Sequence, residues 1–279
     1  MTNNHQNVID LEHKSIPSLL WKFFVPAFAG VIINSLYNIV DRIFIGQGVG
    51  ALALSGLSAV FPIMLIMMAF GMLVGMGARV RVSLNLGKKN YTRAEEVLGN
   101  AFILMLLIAI FITITGFLIK GPMLRLFGAG PEIFAYANDY LNIILLGSIF
   151  NITGFSMNSI IRAEGNAKIA MYSMFLSAGT NLILDPVFIF ALNMGVRGAA
   201  LATVISQLVL CIWVITHFRS EKSVIKLRRN RLKLNKNIVI YIFTIGFAPF
   251  SMQLAASFVQ GTFNTQLIKH GGDIAVGAM

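Results

Sequence analysis

Two carboxylates of this 279-residue chain read as intramembrane, while Asp139 lies at the outer start of an apolar run. One is Asp41, near the far end of a run covering residues 21–45. The other is Asp185, in Asn181-Leu182-Ile183-Leu184-Asp185-Pro186. An acid at membrane depth costs a helix about 2.5–3.5 kcal/mol on insertion scales, so it usually faces a protein interior and has a function there. Asn34, Tyr37, Asn38 and Asp41 share one helical face, and Val31, Ile32, Ile33, Ile39, Val40 and Ile43 lie opposite. An apolar helix with a polar stripe ending in an acid suits the wall of a watery or ion-binding cavity. Asn181 precedes Asp185 by one turn on the same face, and Thr203 enters the next run at a matching depth. Two carboxylates, an amide oxygen and a hydroxyl suit a hard cation. Two neighbouring acids equally suit one shared proton. The plainer alternative is structural. A buried Asp can bond a neighbouring helix, and Asn181 can satisfy backbone groups freed by Pro186.

These residues need elements that hold them at one depth. Seven apolar runs cover residues 21–45, 57–78, 97–119, 135–161, 169–192, 198–217 and 238–263. Each is near the roughly 20 residues that a spanning helix requires. The chain is 57% hydrophobic and only 12% charged, where soluble domains carry about 25% charge. It reads as an all-α polytopic membrane protein. The net charge of +11 is concentrated in short connectors, so no soluble basic face exists for nucleic acid. The single cysteine, Cys211, lies within an apolar run and reads as a packing residue.

Lys and Arg crowd the connectors on one side, and only Arg42, Lys120, Arg125, Arg197 and Lys269 fall on the other. The positive-inside rule then places the N-terminus in the cytoplasm, in the cell's cytoplasmic (inner) membrane. The longest connector, Phe218 to Lys236, is the most basic and reads as an anchor or an anionic-lipid contact. It also marks a boundary, giving 1–217, a 218–236 cytoplasmic loop, and 237–279. A spacing repeat crosses that boundary. Pro26 and Pro249, Asp41 and Asn264, and Gly48 and Gly271 have the same separation, as in parallel repeats of transporters. The chain would then stop one helix into its second half, which reads as a truncated product.

Other residues carry weaker signals. Tyr140, Asn151 and Asn158 lie on one face of the fourth run, either extending the cavity wall or joining helices. Glu164, in the connector Arg162-Ala163-Glu164-Gly165-Asn166, reads as solvated or ion-paired. Pro26 removes a backbone hydrogen bond near the inner end of the first run, so a bend is expected there. Met64, Met67, Met68, Met72 and Met76 repeat at helical spacing, as packing or as an adaptable wall. No Walker-type glycine loop, Ser-His-Asp set or His-Glu-x-x-His pattern occurs in the sequence. No enzyme activity is expected, and no ATPase subunit is implied.

Several of these stretches resemble one family. Pro26, Asn34, Tyr37, Asp41-Arg42, Ile45-Gly46 and Gly50-Ala51-Leu52-Ala53 resemble the first helix of multidrug and toxic compound extrusion (MATE) transporters. Arg162 to Lys168, Asn181 to Pro186 and Gly198 to Thr203 resemble the loop after helix four, helix five and helix six. The resemblance is to the DinF-like prokaryotic branch. It implies a six-helix N-terminal lobe, followed by the first helix of a second lobe, in a V-shaped transporter. It further implies export of drugs or organic cations across the bilayer in exchange for Na+ or H+, with no other cofactor. Asp41, Asn181, Asp185 and Thr203 match the family's N-lobe cation site. Helix seven departs from some relatives, with Gln260 and Asn264 where they carry an acid. A lipid-linked precursor flippase and a non-transporting truncated fragment are the alternatives. The near absence of Lys and Arg from the runs disfavours a pyrophosphate substrate.

Overall fold

The computed structural model describes residues 15–277, with the side chains of residues 19, 22, 23 and 34 outside that description. The polar stretch up to residue 14 and the last two residues also lie outside it. The described residues are helical and contain no strand. In order they form α1 (Ile16–Gly48), α2 (Ala51–Gly87), α3 (Tyr91–Leu126), α4 (Phe134–Leu146), α5 (Ser148–Ala163), α6 (Ala167–Pro186), α7 (Gly195–Arg219) and α8 (Lys236–Gly277). Six of these helices are long and apolar enough to cross a membrane; the bent pair α4 and α5 meets the same requirement only when its two halves are taken together.

That pair corrects the reading of the fourth run as one straight helix. The run breaks at Gly147, and its halves are bent by 58°. A Cβ on Gly147 would lie 2.8 Å from Val204 Cγ1, so the break lets α7 come close. Pro186 lies inside the fifth run, as its bounds implied. The chain continues through a π-helical turn, Val187–Ala191, directly after it. Pro26 lies inside α1, which is helical on both sides of it.

α2 is the central post of the bundle. Gly71 and Gly75 lie one turn apart and face α5. A Cβ on Gly75 would lie 2.9 Å from the Ser156 Cα, and Ser156 Oγ donates to the Gly71 carbonyl at 2.7 Å. Small residues at this spacing let backbones touch in a solvent that offers no hydrophobic force between helices. On another face of α2, Gly77 abuts the Ile242 carbonyl, and Gly246 abuts that of Leu73. α8 therefore lies directly on α2. Ser257 Oγ donates to the Pro62 carbonyl at 2.7 Å, and Met68 takes a bond from Gln253.

The connector between α7 and α8 is a docked strap. Lys226 N and Arg228 Nε both donate to Glu95 Oε1 at 3.2 Å, and Arg231 pairs with Glu96 at 2.9 Å. Asn235 N meets Asn100 Oδ1 at 2.6 Å. The other end is held by Glu164; of the two expectations for it, solvated or ion-paired, the structure rules out the first. Its carboxylate is buried and accepts from Ser223 Oγ (2.6 Å), Ile225 N (3.1 Å) and Asn166 Nδ2 (3.4 Å), with His217 Nε2 at 3.1 Å. Two of the strap's cations, Arg228 and Arg231, are thus committed to acids of the bundle. Glu221, fully exposed, has its carboxyl held below the usual range by its hydrogen bond to Lys226.

Candidate functional site

α1 and α6 pack side by side and bring Asp41 and Asp185 within hydrogen-bonding reach of each other. Both are buried. Asn181 Nδ2 donates to Asp185 Oδ1 at 3.2 Å, as expected for residues one turn apart. Tyr140 reaches the same place from α4 and lies beside Thr203 of α7. The helices α1, α4, α6 and α7 therefore each bring a polar side chain to one buried point. Tyr37 bonds to Asn38, which is otherwise exposed, and feels both carboxylates. Arg42, next to Asp41, stacks its guanidinium over Phe61 at 5.5 Å.

The unpaired polar atoms of this site are all acceptors. Asp41 Oδ1, Asp185 Oδ2 and Asn181 Oδ1 are buried, and none of the three has a hydrogen-bond partner. Buried acceptors without a donor are costly and are normally satisfied. Three of them beside one another, two on carboxylates, create a demand for a proton or a cation. Mixed carboxylate, amide and hydroxyl oxygens fit a hard ion, while soft or transition metals favour nitrogen and sulfur ligands.

A cavity of about 70 Å³ lies beside the acids, lined by Tyr37, Asn151, Asn158, Ser177, Ser206 and Gln207 among others. That is room for about two waters with polar partners. The bend at Gly147 separates the residues expected on one face of the fourth run. Tyr140 joins the acids, whereas Asn151 and Asn158 line the cavity. Asn158 is also a joint between helices, donating to the Ala170 carbonyl (2.9 Å) and Ser173 Oγ (2.6 Å) while accepting from Arg162 (3.2 Å). The side chain of Asn34 lies outside the described residues. Of the methionines, Met67 is buried packing, and Met68 meets α8.

The profile of the MatE family matches residues 26–187, more than half of the chain. The chain belongs to this family. Two of its curated MatE-type relatives are named multidrug export protein MepA. That of Staphylococcus aureus strain MSSA476 is 30% identical over 268 residues, covering 95% of this chain and 58% of the relative. That of Staphylococcus haemolyticus strain JCSC1435 is 31% identical over 241 residues, covering 86% and 53%. Among solved structures, a ligand complex of the MATE multidrug transporter DinF-BH superposes with a TM-score of 0.91 at 39% identity. It covers 95% of this chain and 60% of that one. The chain therefore spans under two thirds of the length of these MATE relatives. Its apolar helices and its family make it a membrane protein.

Sequence reading missed Glu164 as an anchor of the strap and Tyr140 as a neighbour of Thr203. The first had no local signal, because His217, Ser223 and Ile225 reach it from more than fifty positions away. The second left a trace, since Tyr140 is a hydroxyl near the outer end of an apolar run.

Proposed function

We propose that the whole protein is a secondary antiporter of the cytoplasmic membrane that exports organic, cationic compounds in exchange for Na+ or H+. In this reading it is a transporter rather than an enzyme, and its N-terminus is cytoplasmic. Asp41, Asn181, Asp185 and Thr203 hold the coupling ion, and Tyr37, Tyr140, Asn151 and Asn158 form the surrounding polar wall. The observation that carries this reading is the cluster of three buried acceptor oxygens without a donor. A proton or sodium ion supplies what they lack. An organic cation bound nearby competes for the same negative charge, so loading by one favours release of the other. A ligand shifts the equilibrium between two arrangements only by its difference in affinity for them, and a few kcal/mol suffice. Pro26 marks where α1 can bend between the two arrangements. The names of the MepA relatives and of the DinF-BH structure support export of drugs as the activity. The test is dye efflux from vesicles holding the full-length protein, driven by an imposed sodium gradient or an imposed pH gradient. Export driven by one of them supports antiport, and export driven by neither overturns it.

A further inference from the structure

At the inner end of the α2–α5 seam lies an open cleft of about 340 Å³, lined by Arg79, Val80, Ser83, Leu84, Arg162, Ala163 and Gly165. We propose that Arg79 and Arg162 form a binding site for a phosphoryl group, carried by the headgroup of an acidic phospholipid.

The charge balance of the cleft is the first reason. Arg79 and Arg162 are both half-buried, and they lie close enough to repel each other. Among the described residues, no acid pairs with either. Arg162 instead spends its Nη2 on Asn158 Oδ1 at 3.2 Å and on the sulfur of Met174 at 3.0 Å. The one nearby acid, Glu164, is turned away from the cleft and consumed by its bonds to the strap. Two adjacent guanidiniums without a counter-charge leave a positive site that an anion would neutralise. Planar guanidinium forks match phosphate oxygens with paired hydrogen bonds, and the Ser83 hydroxyl adds a donor.

The rim of the cleft is the second reason. Val80 and Leu84 are 37% and 48% exposed on the side of α2 that borders the arginines. A soluble phosphate compound gains nothing from them, whereas a lipid lays an acyl chain there. Basic pockets between helices at the membrane surface suit such headgroups. The strap, although the most basic stretch of the sequence, is a poorer candidate because Arg228 and Arg231 are already ion-paired.

The test uses the purified chain in neutral detergent. Thermal unfolding and lipid retention in native mass spectrometry are measured with phosphatidylglycerol, with phosphatidylcholine, and with inorganic phosphate. Phosphatidylglycerol should raise the midpoint and stay bound where phosphatidylcholine does not. Arg79→Gln/Arg162→Gln should lower its retention about tenfold, the scale of losing charge-assisted bonds. Arg219→Gln, an exposed cation elsewhere, should change nothing. Arg79→Lys/Arg162→Lys keeps the charge, and it should fold and still weaken retention by removing the paired geometry. Equal retention of the two lipids overturns the proposal, and so does undiminished phosphatidylglycerol binding in both double variants. A full stabilisation by inorganic phosphate alone overturns the lipid as the source.

Discussion

Asn264 of α8 donates its amide to the backbone carbonyl of Ser58 in α2, at 2.8 Å. That carbonyl would normally bond the N–H four residues on, but Pro62 stands there and has none. Asn264 also reaches the Phe127 carbonyl at 3.3 Å and is fully buried. The residue in register with Asp41 in the spacing repeat thus repairs a helix defect across an interface.

We predict that Asn264→Ala destabilises the chain by about 1–2 kcal/mol, the cost of an unsatisfied buried acceptor. The loss should shrink in a Pro62→Ala background, where the Ser58 carbonyl regains a partner within its own helix. Denaturant unfolding of the four members of this cycle measures the difference. Equal losses in both backgrounds would mean that Asn264 acts through packing alone.

Gly75 and Gly87 provide a matched pair. A Cβ on Gly75 collides with the α5 backbone, while one on Gly87 meets nothing within 4 Å. Gly75→Ala should cost about 1–3 kcal/mol through overpacking. Gly87→Ala should be close to neutral. Unfolding midpoints in detergent compare the two, and an equal response would contradict the close approach of α2 and α5.

For the acid pair, Asp41→Asn and Asp185→Asn in a full-length version should abolish gradient-driven dye export. Membrane insertion should be unimpaired, because removing a buried charge eases entry into the bilayer. Efflux assays and membrane fractionation provide the two readings. Normal efflux in both variants would make the acids structural.

Glu164→Ala leaves His217, Ser223 and the Ile225 N–H without their shared acceptor. Breaking a buried charged network costs about 3–5 kcal/mol. The strap should then lift from the bundle, and trypsin should cut faster between Lys226 and Lys233. Glu164→Gln retains an acceptor and should fall between the two. A cleavage rate unchanged by Glu164→Ala would show that the Glu95 and Glu96 pairs hold the strap unaided.

Topology gives a fifth outcome. A cysteine placed at Lys88, with Cys211 replaced, should react with a membrane-impermeant reagent only from the cytoplasmic side. Labelling from outside intact cells would reverse the orientation drawn from the Lys and Arg distribution.

What was legible in the sequence follows from what is local. Six of the seven apolar runs are single long helices in the structure, and the fourth is the bent pair, because length and hydropathy are properties of a segment. Asp41, Asp185 and Thr203 converge because helices of fixed rise convert residue number into depth, so counting from run ends locates them. The bend at Gly147 was not legible, since one glycine within an apolar run does not say whether the helix breaks there, and the close packing of Val204 against it comes from a distant segment. For Glu164 only the ion-paired alternative was legible, not its burial or its role in holding the strap. A connector acid is solvated by default, and its burial depends on Ser223 and Ile225 folding back over it. The cleft of Arg79 and Arg162 joins residues of two helices whose register is set by Gly71, Gly75 and Ser156.

The docked strap also bears on assembly. A free connector of this length would release α8 into the bilayer to search for its partner. Pinned at Glu164 and again at Asn100, it delivers the start of α8 beside α2, next to the surface formed by Gly77. Tethering of this kind raises the local concentration of one helix at its docking face without any added contact. The first six spans would then act as a template on which the next helix is laid down as it leaves the insertion machinery.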